Sequence, residues 1–121
     1  MGQRSDLDAT SGSATGSLPR GTVLGTTATI VQFSSAFCQP CRATRRTLRR
    51  AVDDLVTTVD GIEIIDIDAD DHLELTRAWA VESTPTVIFL DGSGKEVVRA
   101  CGQPRTADVL AALARVVQAG R

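Results

Sequence analysis

Long apolar runs are missing from this sequence. Its longest apolar run is far short of the roughly 18 to 20 residues that span a bilayer, so we expect no transmembrane helix. No basic start is followed by an apolar stretch, and we therefore expect no signal peptide. The hydrophobic fraction of 42% and the charged fraction of 23% are close to globular averages. A length of 121 residues predicts a soluble chain with one domain, because it can bury one core but not two.

Cysteine and net positive charge are also scarce. Three cysteines are too few for the disulfide scaffold of a small secreted protein, and an odd number leaves at least one thiol unpaired. We therefore interpret the closely spaced Cys38 and Cys41 as a reactive pair. The net charge of -2 argues against bulk attraction to nucleic acid, so we expect no nucleic-acid partner.

The first residues of the chain differ in composition from the rest. The stretch up to about residue 20 is rich in Ser, Gly, Thr and Ala, and it is too polar to offset the entropy lost on ordering. We predict a flexible tail or linker over 1–24 and a folded domain over 25–121. The same stretch also suits a linker that remains after removal of an upstream membrane anchor or an expression tag.

Hydrophobic periodicity predicts seven secondary-structure elements in the order β-α-β-α-β-β-α. A strand, a helix and a second strand in succession imply a right-handed parallel crossover. Asp70 or Asp71 is expected to cap the second helix, and Asp91-Gly92-Ser93-Gly94 is expected to form a hairpin turn. The predicted strands are 29–33, 62–67, 86–90 and 95–101, and the predicted helices are 40–57, 70–79 and a last helix starting at Thr106 or Asp108.

The first predicted helix is amphipathic and basic. Its outer face carries Arg42, Arg45, Arg46, Arg49 and Arg50. A nucleic-acid or acidic-lipid patch is one interpretation, but no aromatic residue is interleaved for base stacking. We favour a solvated face that helps to attract acidic partners.

Cys38 and Cys41 lie where this helix begins, with Pro40 at a first-turn position where its missing N–H costs nothing. The unpaired N–H groups of a helix start favour the thiolate, so Cys38 is expected to be a more acidic thiol than usual. Cys38 would attack a disulfide, and Cys41 would then displace the product. The alternative is half of a zinc site, but only His72 and Cys101 remain as further ligands, so we expect no metal.

These residues resemble the thioredoxin family from about Thr29 to Ala119. The resemblance implies a thioredoxin-like α/β fold, with a central mixed four-stranded sheet and helices on both faces, here without the family's first strand and helix before Thr29. It also implies a cis peptide bond at Pro85. The matching positions are Phe33, Phe37-Cys38-Gln39-Pro40-Cys41, Ile67-Asp68, Thr84-Pro85-Thr86 and Gly102.

The resemblance further implies a thiol–disulfide oxidoreductase that reduces protein disulfides and needs no cofactor beyond its redox-active Cys38–Cys41 disulfide. Its electrons would come from a flavin-dependent reductase or a membrane electron carrier, and we expect a cytoplasmic monomer. The substrate groove would include Phe37, Gln39, Pro40, Thr84, Pro85 and Gly102.

Several positions depart from the family pattern. Phe37 replaces a tryptophan and so lacks its N–H donor, and Gln39 replaces a glycine beside the reactive sulfur. The family's buried aspartate beneath the second cysteine corresponds to Gln32. We hypothesise that Asp66, kept protonated by burial, is the proton acceptor instead. A solvated acidic strand residue is the alternative interpretation of Asp66.

Three other side chains were candidates for a role. Cys101 is a candidate third redox thiol, although we favour the interpretation that it is a small packing residue. His72 is expected to be exposed without a function, and Trp79 is expected to lie in the core.

Two other functions fit the same residues. One is an extracytoplasmic thiol–disulfide factor for a specific client, anchored to the membrane through a segment absent from this chain. The other is a non-catalytic thioredoxin-like module that binds through the groove around Phe37 and Pro85. The presence of both cysteines argues against the second.

Overall fold

Four strands form one mixed sheet in a computed structural model that describes residues 18–55 and 58–119. The order across the sheet is β2-β1-β3-β4, with β1 parallel to β2 and antiparallel to β3, and with β3 antiparallel to β4. Because β1 is central, all of its residues are buried, as its run of β-branched and aromatic side chains predicts. The strands are β1 (Ala28–Ser34), β2 (Ile62–Asp68), β3 (Thr86–Asp91) and β4 (Glu96–Cys101).

Three helices complete the fold, and the predicted order β-α-β-α-β-β-α is confirmed. No strand or helix is found in the described residues before Ala28, which are residues 18–27. None of the described helices is both long enough and apolar enough to cross a bilayer. The helices are α1 (Gln39–Leu55), α2 (Leu73–Ala78) and α3 (Thr106–Ala119), and the predicted end of α1 at residues 56–57 lies outside the described residues.

The larger core cluster lies on the side of the sheet covered by α1 and α3. Leu48 of α1 and Leu113 of α3 are fully or almost fully buried there, against alternate residues of β1 and β3. The alternation follows from the pleat, because successive strand residues point to opposite faces. The buried members are Ala28, Ile30, Leu48, Ala51, Val87, Phe89, Val109, Ala112, Leu113 and Val116.

The smaller core cluster lies on the opposite side, which is covered by α2 and the turn after it. Trp79 is 2% exposed, which confirms its predicted place in the core, and its ring lies 5.7 Å from that of Phe33 between centroids. Leu18 and Leu24 pack on this cluster from the segment that precedes β1. Of the predicted 1–24 tail, residues 1–17 lie outside the described residues. Helices therefore flank the sheet on both faces, as predicted.

The turn between β2 and α2 is organised by Asp68, and the prediction that Asp70 or Asp71 caps this helix is wrong. The Asp68 carboxylate accepts hydrogen bonds from the backbone N–H groups of Asp70 (2.9 Å) and Asp71 (3.3 Å). His72, the residue before α2, makes no side-chain capping bond. Its Nδ1 lies 3.1 Å from the Asp68 carbonyl oxygen, and its side chain is exposed as predicted. Asp68 can accept these bonds from the end of β2 because the side chain of an aspartate is short enough to reach backbone N–H groups two and three residues further along the chain.

Candidate active site

The two cysteines of the motif are joined by a disulfide at the start of α1. Their Cα atoms are 5.2 Å apart, and Gln39 and Pro40 between them are the first residues of the helix. Pro40 suits this place because its fixed φ is helical and no intrahelical N–H is lost. The first turn of α1 contains no acidic residue to offset its positive end.

The two sulfur-bearing residues differ in exposure. Cys38 is half-buried, whereas Cys41 is 1% exposed. The backbone N–H of Cys41 donates a hydrogen bond to Cys38 Sγ at 3.2 Å. A donor from the helix start therefore lies where it would stabilise negative charge on the more accessible of the two sulfurs once the disulfide is opened.

Phe37 projects from the loop immediately before the disulfide. Its side chain is 94% exposed, and its backbone has φ +61°, which is unusual for a residue other than glycine. Most aromatic side chains are stabilised by burial, and the Phe37 ring lacks that stabilisation because it lies in water. Phe37 is thus available for contact with another molecule, as are the exposed side chains of Gln39 and Pro40.

The loop before β3 is fastened to the loop before Cys38. The Thr84–Pro85 peptide bond is cis, which confirms the prediction for Pro85. The hydroxyls of Ser35 and Thr84 share a hydrogen bond of 3.0 Å, and the Pro85 carbonyl accepts one from the Gly102 N–H at 2.9 Å. The structure therefore connects Thr84, Pro85 and Gly102 and ties them to the loop that leads into the motif.

Gln32 lies beneath the second cysteine. It is fully buried, and its Nε2 donates to the backbone carbonyl of Cys41 at 2.9 Å. Its Oε1 and the hydroxyl of the buried Thr44 find no hydrogen-bond partner within the described residues. A neutral amide therefore supports the turn of helix that carries Cys41, and the support does not titrate.

Asp66 lies opposite Gln32 in the register of β1 and β2, but it is not buried. Its side chain is 37% exposed, accepts a hydrogen bond from Ser34 Oγ at 2.7 Å, and forms an ion pair with Arg45. The prediction that Asp66 is buried, on which the proton-acceptor hypothesis depends, is therefore wrong. The structure agrees with the alternative of a solvated acidic strand residue.

Cys101 is a free thiol and is exposed, so the favoured interpretation of small packing is wrong. It ends β4 opposite Thr86, the residue after the cis-proline. Its neighbour Gly102 has φ +90°, a conformation that suits glycine.

A polar pocket of about 300 Å³ opens beside the disulfide. Its lining includes Cys38, Cys41, Arg42, Arg45 and Asp66. Sequence reasoning missed Ser35 and Arg45 as parts of this region. No sequence pattern marked Ser35. The ion pair of Arg45 with Asp66 could not be predicted, because it depends on how α1 packs against β2.

Metal ligands are not grouped in the described part of the chain, where no cluster of three or more His, Cys, Asp or Glu side chains could hold an ion. The two sulfurs themselves offer chemistry at the site, since a disulfide at a helix start is open to attack and exchange.

Known proteins share both the fold and the motif region. The thioredoxin family model matches residues 21–115. A thioredoxin of Mycoplasma genitalium is 31% identical over 78 residues, which cover 64% of this chain and 72% of that protein. Thioredoxin H2-2 of rice (Oryza sativa subsp. japonica) is 34% identical over 73 residues, but this chain spans only 51% of its length.

A solved structure supports the same assignment for the fold. Thioredoxin from Trypanosoma brucei brucei superposes with a TM-score of 0.63 at 20% identity, covering 78% of each chain. From the family model, the bacterial relative and this architecture, we conclude that the chain belongs to the thioredoxin family.

Proposed function

We propose that this protein is a thiol–disulfide oxidoreductase that reduces protein disulfides through Cys38 and Cys41. One observation carries the proposal: the accessible Cys38 sulfur accepts a helix-start N–H, and the buried Cys41 lies next to it, already at bonding distance. A single reactive thiol can be captured as a stable mixed disulfide. A second thiol one turn away releases it.

The proposed reaction starts from the dithiol form. The Cys38 thiolate attacks one sulfur of the substrate disulfide, forming a Cys38–substrate disulfide and expelling the other substrate sulfur as a thiolate, which takes up a proton. Cys41 then loses its proton and attacks Cys38 Sγ. This step forms the Cys38–Cys41 disulfide and expels the second substrate sulfur, which is protonated in turn. Two electrons pass from the cysteine pair to the substrate.

The surroundings support this division of roles. The exposed Phe37 side chain precedes the motif, and the cis-proline loop is hydrogen-bonded through Thr84 to Ser35, so an extended substrate would find both an apolar contact and a backbone to approach. Gln32 holds the carbonyl of Cys41, so the attacking position of the second sulfur is kept without a charged group beneath it.

The test is the reduction of insulin with dithiothreitol as the electron source. The native chain should accelerate the reaction, and Cys38→Ser should be no faster than dithiothreitol alone. Cys41→Ser, reduced beforehand and mixed with insulin after the dithiothreitol has been removed, should accumulate a mixed disulfide with the substrate, visible by mass spectrometry. Cys101→Ser is the matched control, because it removes a thiol outside the motif and should keep the native rate. Equal rates for the native chain and Cys38→Ser would instead indicate a non-catalytic binding module.

The direction of electron flow is tested by equilibrating the Cys38–Cys41 pair with glutathione. A reductase should have a potential near or below about -230 mV, whereas a strong oxidant would lie near -120 mV. A potential of about -120 mV would show that the protein oxidises its substrates rather than reduces them. The proposed exchange between Cys38, Cys41 and a substrate disulfide would still stand. The source of electrons for the dithiol form, a flavin-dependent reductase or a membrane carrier, stays a prediction.

A further inference from the structure

The outer face of α1 concentrates positive charge beside the redox motif. We call Arg42, Arg46, Arg49 and Arg50 the arginine face, and all four are exposed. The spacing of Arg42, Arg46 and Arg49 puts them in one line, because residues three and four apart are neighbours on a helix. The line runs about 10 Å along the helix at 1.5 Å per residue, and it begins at the residue after Cys41.

This charge is not balanced within the helix. Among the described residues, the one ion pair that α1 forms is that of Arg45 with Asp66. Arg45 lies beside the arginine face and is not part of it. The only acidic residues of α1 are Asp53 and Asp54. They are helix neighbours of Arg49 and Arg50 but form no ion pair with them, so Arg42 and Arg46 have no acidic neighbour in α1. Like charges four residues apart destabilise a helix by a few tenths of a kcal/mol, and a cation near a helix start opposes the dipole. Helix stability therefore does not account for the placement of Arg42 and Arg46.

Arg42 connects the arginine face to the reactive disulfide, because it lines the pocket of about 300 Å³ described above together with Cys38 and Cys41. The pocket contains two carboxylates, but both have partners. Asp66 accepts from Ser34 and Arg45, and Asp68 accepts from the N–H groups of its own turn. Within the described residues, Arg42 is the pocket cation with no carboxylate partner.

The opposite border of the site has the reverse charge. Asp70 and Glu82 line a second pocket, of about 330 Å³, together with Ser35 and Thr84. Asp71 and Glu74, on the same side of the molecule, are exposed. An acidic substrate segment would therefore be repelled from this acidic border and attracted to the arginine face.

We propose that the arginine face selects protein disulfides flanked by aspartate or glutamate, by binding the acidic residues while Cys38 attacks the neighbouring disulfide. The proposal rests on the function proposed above and adds a substrate class to it. Complementary charge chiefly raises the rate of encounter and fixes orientation. Nucleic acid fits the face less well, because the chain has a net charge of -2 and Phe37, beside the face, is the one exposed Phe or Trp side chain among the described residues, which could stack on a single base only.

The test compares two synthetic peptides, each closed by one disulfide and identical except for glutamate or glutamine beside the cysteines. For the native chain, kcat/KM should be about tenfold higher for the glutamate peptide at low salt. The preference should shrink at about 0.5 M salt, because salt screens exposed charges. The ratio between peptides isolates docking, since any change in the acidity of Cys38 affects both peptides equally.

Two variants of equal net charge make the comparison specific. Arg42→Gln, Arg46→Gln and Arg49→Gln together should reduce the peptide ratio to about one, because the attracting charge is gone. The control combines Arg20→Gln, Arg77→Gln and Arg115→Gln, which are exposed arginines elsewhere, and should keep the native ratio.

Each outcome decides one proposal. If the native chain reduces both peptides at the same rate, or if both triple variants lose the preference alike, the arginine-face proposal is overturned and the oxidoreductase proposal stands. If the native chain reduces neither peptide, the oxidoreductase proposal itself fails. Polyglutamate should inhibit reduction of the glutamate peptide more strongly than an RNA of equal charge; the reverse order would identify a nucleic-acid surface and also overturn the proposal.

Discussion

The two sides of the sheet contribute to the site in different ways. One side carries α1 and α3, which have 17 and 14 residues, and the other carries α2, which has six. The disulfide is attached to the start of α1, above the larger core cluster, whereas the cis-proline loop follows α2 on the thinly covered side. The reactive group is thus held by the more deeply packed side, and the loop next to it belongs to the side with less packing behind it.

The largest expected effect tests this difference in packing. Leu48→Ala should lower the free energy of unfolding by about 2 to 5 kcal/mol, since Leu48 is fully buried beneath α1. Leu75→Ala should cost less, because Leu75 is 8% exposed on a six-residue helix whose surroundings can relax into the space. Urea unfolding followed by far-UV circular dichroism measures both. Leu73→Ala, at a 55% exposed position of α2, is the control and should change little. If Leu75→Ala lowered the free energy of unfolding by more than Leu48→Ala, the side that carries α2 would be the more tightly packed one, contrary to the comparison above.

The second prediction concerns the polar group inside the better-packed side. Gln32→Asp places a carboxyl where the native amide is fully buried, and burial raises the pKa of such a group. The variant should be closest to the native chain below about pH 3.9, the ordinary value for an unfolded aspartate, and should lose stability as the pH rises. The loss is about 1.4 kcal/mol for each unit by which the pKa is raised.

Gln32→Asn is the matched control, because it shortens the side chain equally and does not ionise. Its stability relative to the native chain should be the same at pH 4 and pH 8. Urea unfolding at the two pH values gives the comparison. Parallel behaviour of the two variants would show that water reaches position 32, contrary to its burial in the structure.

The third prediction concerns the exposed carboxylate on the same side. Asp66→Asn removes an ion pair whose partners are both more than a third exposed, so its cost should be below about 1 kcal/mol. The pH profile of thiol–disulfide exchange should also be unchanged, since Asp66 lies in solvent rather than beneath Cys41. Arg45→Gln breaks the same pair from its other end and serves as the control. A profile altered by Asp66→Asn and not by Arg45→Gln would restore Asp66 as a proton acceptor.

The smallest effect is expected at the β3–β4 turn, which belongs to neither side. Partial burial tends to raise the pKa of Asp91, but hydrogen bonds from the Ser93 hydroxyl and the Lys95 and Ser93 N–H groups, with the Lys95 charge, hold the pKa below its usual 3.8. A lowered pKa means stability that is present above about pH 3.8 and lost as the pH falls through the folded-state value.

Asp91→Asn should therefore destabilise the protein slightly at pH 7, by less than about 1 kcal/mol at this solvent-accessible turn, and the difference from the native chain should shrink as the pH falls below 3.8. Thermal unfolding at several pH values measures this. Asp53→Asn, an exposed carboxylate on α1, is the control. A native-to-variant difference that grows at low pH would contradict the assignment.

The local elements of the fold were predictable from the sequence. The β-branched run before Phe33, the helix after Pro40 and the glycines of the β3–β4 hairpin all depend on neighbours a few residues away. The cysteine motif and the cis-proline were predictable because they occur in recognisable local patterns. Boundaries shifted by a few residues, as at α2, which begins at Leu73 and has no side-chain cap, while the Asp68 carboxylate organises the turn before it.

The two wrong assignments of burial share one cause. Asp66 lies on β2 and Cys101 on β4, and these are the two edge strands of the sheet. An edge strand is exposed along one side, so residues whose neighbours are apolar in sequence can still reach water. Whether a strand becomes central or lies at an edge depends on pairing between distant segments, and the pattern of one strand does not contain that information.

The sequence by itself determined where the strands and helices form and which two sulfurs can exchange a disulfide, because both follow from short-range periodicity and spacing. Only the tertiary structure decided what surrounds those sulfurs. It placed the Gln32 amide beneath Cys41, paired Arg45 with Asp66, and left the arginine face unpaired beside the disulfide. These relations join residues far apart in the chain, and the packing of helix against sheet is what sets them.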